Sequence, residues 1–138
     1  MNKYRDIGFK LTPQRLAILD VLEGNTSHPS VDEIYARVSK THPTMSMATV
    51  YNTLEALVKR GRVAELTIDP RRRRYDPDVV PHHHLMCVTC GAISDIHEDF
   101  NLVLPEAKRK RFRIIGSRIE FHGVCPECDT HKERKEVA

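Results

Sequence analysis

Four cysteines in two identical knuckles, Cys87-x-x-Cys90 and Cys125-x-x-Cys128, constrain this 138-residue chain more than any other feature. About 34 residues separate the two pairs. Paired CxxC knuckles supply four thiolates at the spacing of a tetrahedral structural zinc. Gly91 after the first pair and Pro126 inside the second suit tight turns. Two other readings stand beside zinc. Disulfides need an oxidising compartment, which nothing in the sequence suggests. A thioredoxin-like redox pair needs only one knuckle and a βαβ setting that neither pair has. Zn2+ is therefore the expected occupant of Cys87, Cys90, Cys125 and Cys128. Four Cys ligands close the shell and leave no open position for a substrate, so the site reads as structural. No catalytic residue is expected, and the chain is not read as an enzyme.

This length allows one ordinary domain or two small ones, and two small lobes have thin cores that need a staple or a partner subunit. No apolar run approaches the roughly 18 residues of a membrane span. The start Met1-Asn2-Lys3-Tyr4-Arg5-Asp6 is not followed by an apolar signal core. The expectation is a cytoplasmic protein with no membrane contact. Net charge is +3, and all of the surplus lies before Pro81, concentrated in Arg71-Arg72-Arg73-Arg74. Such a run either holds phosphates or is a solvated turn.

The stretch Asp76-Pro77-Asp78-Val79-Val80-Pro81 reads as a hinge. Before it, the order is helix, helix, helix, hairpin. Thr12-Pro13 starts the first helix, with Leu16, Leu19, Val21 and Leu22 on its apolar side. Ser30-Val31-Asp32-Glu33 is a capping box, followed by Val31, Ile34, Tyr35 and Val38 at helical spacing. A third helix runs from near Ser46 to Gly61 on a stripe of Val50, Leu54, Leu57 and Val58. Segments 62–68 and 72–76 form a hairpin around Asp69-Pro70-Arg71. Three helices and a hairpin give the winged helix-turn-helix order. After the hinge the pattern is mainly β. Strands are expected at 82–88, 92–97 and 114–124, and a helix within 99–111 that starts or kinks at Pro105. The fold class is α+β.

His82-His83-His84 precedes the first knuckle. On a strand, His82 and His84 share one face and His83 takes the other. Asp95 follows on the next candidate strand, and Asp76 lies at the hinge. Two imidazoles with carboxylates suit Fe(II), Mn(II) or Zn(II), although clustered histidines are also common without metal. His42, His97, His122 and His131 are read as ordinary surface or hydrogen-bonded residues.

Several separate motifs then resemble one family in the correct order. They are Thr12-Pro13-Gln14-Arg15, His28-Pro29, the run Ala48-Thr49-Val50-Tyr51-Asn52-Thr53-Leu54, His82-His83-His84-Leu85-Met86-Cys87, and Gly123-Val124-Cys125. The chain resembles the ferric uptake regulator (Fur) superfamily over nearly its whole length. The resemblance implies a homodimeric, metal-responsive transcriptional repressor of double-stranded DNA. Its layout is a winged-helix DNA-binding domain at 1–76, a hinge at 77–81 and a small α/β dimerisation and metal-binding domain at 82–138. It further implies the peroxide-sensing, PerR-like branch, whose regulatory site of three His and two Asp falls on His28, Asp76, His82, His84 and Asp95. Fe2+ or Mn2+ is the ion expected there. A further family site would fall on Pro81, His83 and Ser117, and two of those are poor ligands. In that branch iron and peroxide oxidise a ligand histidine, matched by His28 or His82. An iron- or zinc-level repressor without oxidation chemistry is the alternative reading.

Arg15, Thr49, Tyr51, Asn52, Arg72 and Arg73 are the expected DNA contacts on a palindromic operator. Tyr51 is placed against a thymine methyl and Asn52 against adenine, with the arginines on phosphate. Tyr51 could instead pack partly into the core. Two other classes compete. A zinc enzyme using the His/Asp cluster lacks a further general base, and a thiol sensor on Cys87 and Cys90 needs thiolates that zinc would quench.

Overall fold

The structure is a computed structural model, and it describes residue 8 and residues 10–130. The chain forms two compact units, Met1–Val80 and Pro81–Ala138. No helix among the described residues is long and apolar enough to cross a membrane.

The first unit is built from α1 (Pro13–Leu22), α2 (Val31–Val38), α3 (Met47–Lys59), β1 (Ala64–Leu66) and β2 (Arg74–Asp76). Each helix starts on a hydroxyl cap, which satisfies a backbone N–H that has no partner within the helix. Thr12 accepts from the Arg15 N–H, Ser30 from Glu33 and Ser46 from Thr49. At Ser30 the hydroxyl also donates to the Glu33 carboxylate, at 3.1 Å, so the box closes side chain to side chain. Helix α3 stops in a Schellman turn. The Arg62 N–H reaches the Leu57 carbonyl and the Gly61 N–H the Val58 carbonyl, with Gly61 at φ 68°.

Ile18, Leu19, Leu22, Ile34, Val38, Val50, Leu54, Leu57, Val63 and Tyr75 pack into one core. Helix α1 buries Ile18 rather than Leu16 or Val21, which are half-buried. On α3 Thr53 takes the buried place expected of Val58, its hydroxyl donating to the Thr49 carbonyl at 2.7 Å. That bond satisfies the hydroxyl inside the core. Leu54 is fully buried at the centre. Leu54→Ala should destabilise the unit by about 2–5 kcal/mol, read as a lower urea midpoint. Strands β1 and β2 pair antiparallel, Glu65 opposite Tyr75.

The second unit is a three-stranded sheet in the order β4-β3-β5, from β3 (His83–Cys87), β4 (Ile93–Ile96) and β5 (Glu120–Gly123). Strand β3 runs antiparallel to β4 and parallel to β5. Two expectations fail here. The strand expected over 114–124 pairs only at Glu120–Gly123, because a strand needs a neighbour for its backbone N–H and C=O groups. The helix expected within 99–111 is a single 3-10 turn, Glu106–Lys108, just after Pro105. Lys110 and Arg111 follow in left-handed backbone, at φ 48° and 66°, which a helix cannot continue through. Only Met86, Cys87 and Ile93 are buried apolar residues among the described part of this unit.

Candidate metal centres and nucleic-acid face

The parallel pairing of β3 with β5 brings the two knuckles together. Cys87 is level with Gly123, so the residues that follow each strand emerge at the same end of the sheet. The Gly91 N–H bonds the Cys87 carbonyl at 2.8 Å, and the Cys128 N–H bonds the Cys125 carbonyl at 3.0 Å, closing both turns. Gly91 is at φ 80°, a backbone that favours glycine. All four sulfurs lie within 4.8 Å of one another, with Cys90 Sγ and Cys125 Sγ 3.8 Å apart. A tetrahedral zinc with Zn–S bonds of about 2.3 Å requires sulfurs about 3.8 Å apart, so the donor set fits.

Backbone N–H groups also aim at sulfur. The Cys125 N–H donates to Cys87 Sγ at 3.3 Å and the Cys90 N–H at 3.5 Å. These donors lower the Cys87 thiol to about 6. Cys128 is pushed up to about 12, chiefly by its hydrogen bond to Cys125 and then by burial. Without a cation the cluster holds its protons unevenly, and a divalent ion lets all four groups ionise. Zinc uptake near pH 7 should therefore release protons, measurable in weakly buffered solution.

At the other end of β3 lies a second set of donors. His82 and His84 are buried together, and Asp95 sits opposite His84 in the β3–β4 register. His82 Nε2 is 2.9 Å and His84 Nε2 3.4 Å from the same Asp95 oxygen. Donors about 3.0–3.4 Å apart are what one ion with ligand bonds of about 2.1 Å needs. His97, read from sequence as an ordinary surface or hydrogen-bonded residue, stacks on the His82 ring, centroids 4.8 Å apart. Only the strand-end position of His97 hinted at this.

His83 takes the opposite face. Its Nδ1 accepts the Ile119 N–H at 2.9 Å and its ring lies against Phe100. His83, Ser117 and Asp99 border a cavity of about 360 Å3. Thr41 and Glu120 accompany His42 and His122, while His131 lies outside the described residues.

In the first unit, His28 and Asp76 are buried side by side, His28 Nε2 3.4 Å from Asp76 Oδ2. Asp76 is the last residue of β2, and its other oxygen accepts the Asp78 N–H at 2.9 Å. His28 lies just before α2 in a left-handed conformation, φ 53°. That costs a non-glycine residue about 1–2 kcal/mol.

Tyr51 and Asn52 are exposed on α3, and Tyr51, 42% accessible, is not packed into the core. Thr49 is half-buried, its hydroxyl 2.8 Å from Ser46 Oγ. Arg15 is half-buried and donates to the Lys10 carbonyl. The basic run is not one exposed patch. Arg73 pairs with Glu65 at 2.9 Å, and Arg72 lies 3.7 Å from both Glu33 and Asp69. Arg74 is 4% accessible and so leaves the exposed cluster, because β2 directs it inward beside Asp69.

A three-helix unit with a β-hairpin wing, followed by a sheet carrying a four-cysteine cluster and a His/Asp cluster, defines a metal-responsive DNA-binding regulator. The model of the ferric uptake regulator family matches residues 6–122, and the chain belongs to that family. It is similar to the peroxide operon regulator of Bacillus subtilis, 37% identical over 93% of this chain and 90% of that protein. Among solved structures it resembles the Campylobacter jejuni peroxide stress regulator at TM-score 0.62. The two are 30% identical, with 84% of this chain and 89% of that one covered. It also resembles a zinc-bound manganese uptake regulator at TM-score 0.65 and 30% identity, covering 88% and 94%.

Proposed function

We propose that the protein is a homodimeric, metal-dependent transcriptional repressor that senses hydrogen peroxide. The observation that carries this reading is the pair of half-sites, buried His28 with buried Asp76, and buried His82 and His84 with half-buried Asp95, each at metal-ligand spacing. Only five residues separate Asp76 from His82. One ion held by all five residues would tie the winged-helix unit to the sheet unit. It would favour one arrangement of the two by its greater affinity for that arrangement. Mixed imidazole and carboxylate donors suit Fe(II) or Mn(II), while the thiolates of Cys87, Cys90, Cys125 and Cys128 keep zinc as a staple.

Dimerisation is supported by apolar side chains left exposed in the second unit, among them Ile115, 86% accessible, and Val103, 75%. A two-fold dimer presents two α3 helices to successive major grooves, which asks for a palindromic operator. Tyr51 and Asn52 read bases, Thr49 and Arg15 position the helix, and Arg72 and Arg73 exchange Glu33, Asp69 and Glu65 for phosphate. Iron held there would supply the redox chemistry that activates hydrogen peroxide; in the net step one peroxide oxygen would enter an imidazole C–H of His28 or His82 and the other would leave as water. The oxygenated ring would bind metal poorly, and the repressor would leave DNA. The carboxylates Asp76 and Asp95 match the peroxide-sensing pattern, and the B. subtilis relative carries the name peroxide operon regulator.

Selection from a random duplex pool with Mn(II)-loaded, zinc-containing protein tests the core of this reading. A palindromic consensus bound only with Mn(II) or Fe(II) is expected. Metal-independent enrichment, or none, would contradict it.

A further inference from the structure

Arg74 is a buried charge that the reading above gives no task. Its Nε donates to the His28 carbonyl at 2.8 Å, and its Nη1 lies 3.5 Å from Asp69 Oδ2. Asp69 is itself buried and also accepts the Arg71 N–H at 2.9 Å within the wing turn. The backbones around this contact are laced together. Ser30 bridges to Arg74, and the Tyr75 N–H donates to the Pro29 carbonyl at 2.9 Å. The residue whose carbonyl Arg74 grips, His28, is itself in left-handed backbone, with its ring against Asp76. A non-glycine residue stays in that conformation only where its surroundings over-determine it. A planar guanidinium suits this work, because its donors serve a carbonyl and a carboxylate at fixed angles.

We infer that Arg74, fixed by Asp69, is a positioning residue: it holds the His28 backbone so that the imidazole meets Asp76, and it ties that pair to the turn of the wing. It touches no ion itself. The inference rests on His28 being a ligand of the regulatory metal, and the test separates the two.

Zinc-loaded full-length protein is titrated with Co(II), whose weak visible bands report the ligands of a nitrogen/oxygen site. At saturation Arg74→Met is expected to give the spectrum of His28→Ala, not that of the parent, with Co(II) bound about tenfold or more weakly. The double variant should bind no more weakly than His28→Ala alone, since both changes remove one ligand. Arg74→Lys, which keeps a donor for the carbonyl, should move the spectrum back toward the parent. If Arg74→Met shows a lower unfolding temperature but the parent spectrum at saturation, with additive losses in the double variant, Arg74 merely supports the fold and the inference is wrong. Should Arg74→Met not fold, Asp69→Asn gives the same comparison at unchanged volume. A His28→Ala protein with the parent spectrum would remove His28 from the site and overturn both readings. A changed His28→Ala spectrum beside an unchanged Arg74→Met spectrum would overturn only the role of Arg74.

Discussion

Cys125→Ser should unfold the second unit while leaving the helices of the first intact. That sheet has three strands of four or five residues, and Met86, Cys87 and Ile93 are its only buried apolar side chains among the described residues. Burying three such side chains is worth only a few kcal/mol, about 1.5–3 for each. A structural zinc contributes on the order of 10 kcal/mol in small zinc-dependent folds. The cation therefore dominates the balance. Cys125 is a strong place to break it, because its N–H also donates to Cys87 Sγ and its carbonyl closes the second turn. Zinc content by native mass spectrometry should fall to zero. Amide resonances of His83–Cys87 and Glu120–Gly123 should collapse to random-coil positions, while those of α1, α2 and α3 stay dispersed. A folded, zinc-free sheet would show that the four thiols are not its staple.

Asp76→Ala should abolish metal-dependent DNA binding without unfolding either unit. Asp76 and His28 are both essentially inaccessible, so each is the other's polar neighbour in a dry place. Asp76 lies outside the apolar core around Leu54 and Ile34, which its removal leaves untouched. The lost ligand is another matter. Changes to residues that merely support a ligand commonly weaken metal binding about 10–100-fold, and loss of a ligand should exceed that, by about 100-fold or more. Mn(II) affinity by calorimetry and operator binding by anisotropy should fall together, with zinc content unchanged. Asp95→Ala should behave alike. A variant of either residue that still binds the operator in a metal-dependent way would remove that residue from the site.

Much of the first unit could be read directly because its signals are local. Thr12, Ser30 and Ser46 each announce a helix start, and each is found capping one. The knuckles are equally local, since two CxxC turns carry their own geometry. What failed was non-local. Residues 114–119 carry the β-branched Ile114, Ile115 and Ile119, yet a strand is defined by its neighbour, and β3 pairs with this segment along Glu120–Gly123. The apolar run Leu102-Val103-Leu104 ends at Pro105 and a basic stretch, and a helix that short needs packing to persist. Arg74 was hidden by its company: three exposed arginines precede it, and charge argued for solvent. Its strand position, two residues before Asp76, was the clue that it shares that residue's side of the hairpin.

Peroxide sensing itself is decided by one experiment. Zinc-containing protein loaded anaerobically with Fe(II) and bound to its selected operator is treated with a slight excess of hydrogen peroxide. DNA binding and the masses of peptides spanning His28 and His82 are then read from the same sample. Release of DNA with one added oxygen on either histidine, and intact cysteine peptides, is the expected result. Unmodified histidines and undiminished DNA binding would contradict it and leave a repressor that answers to metal level alone.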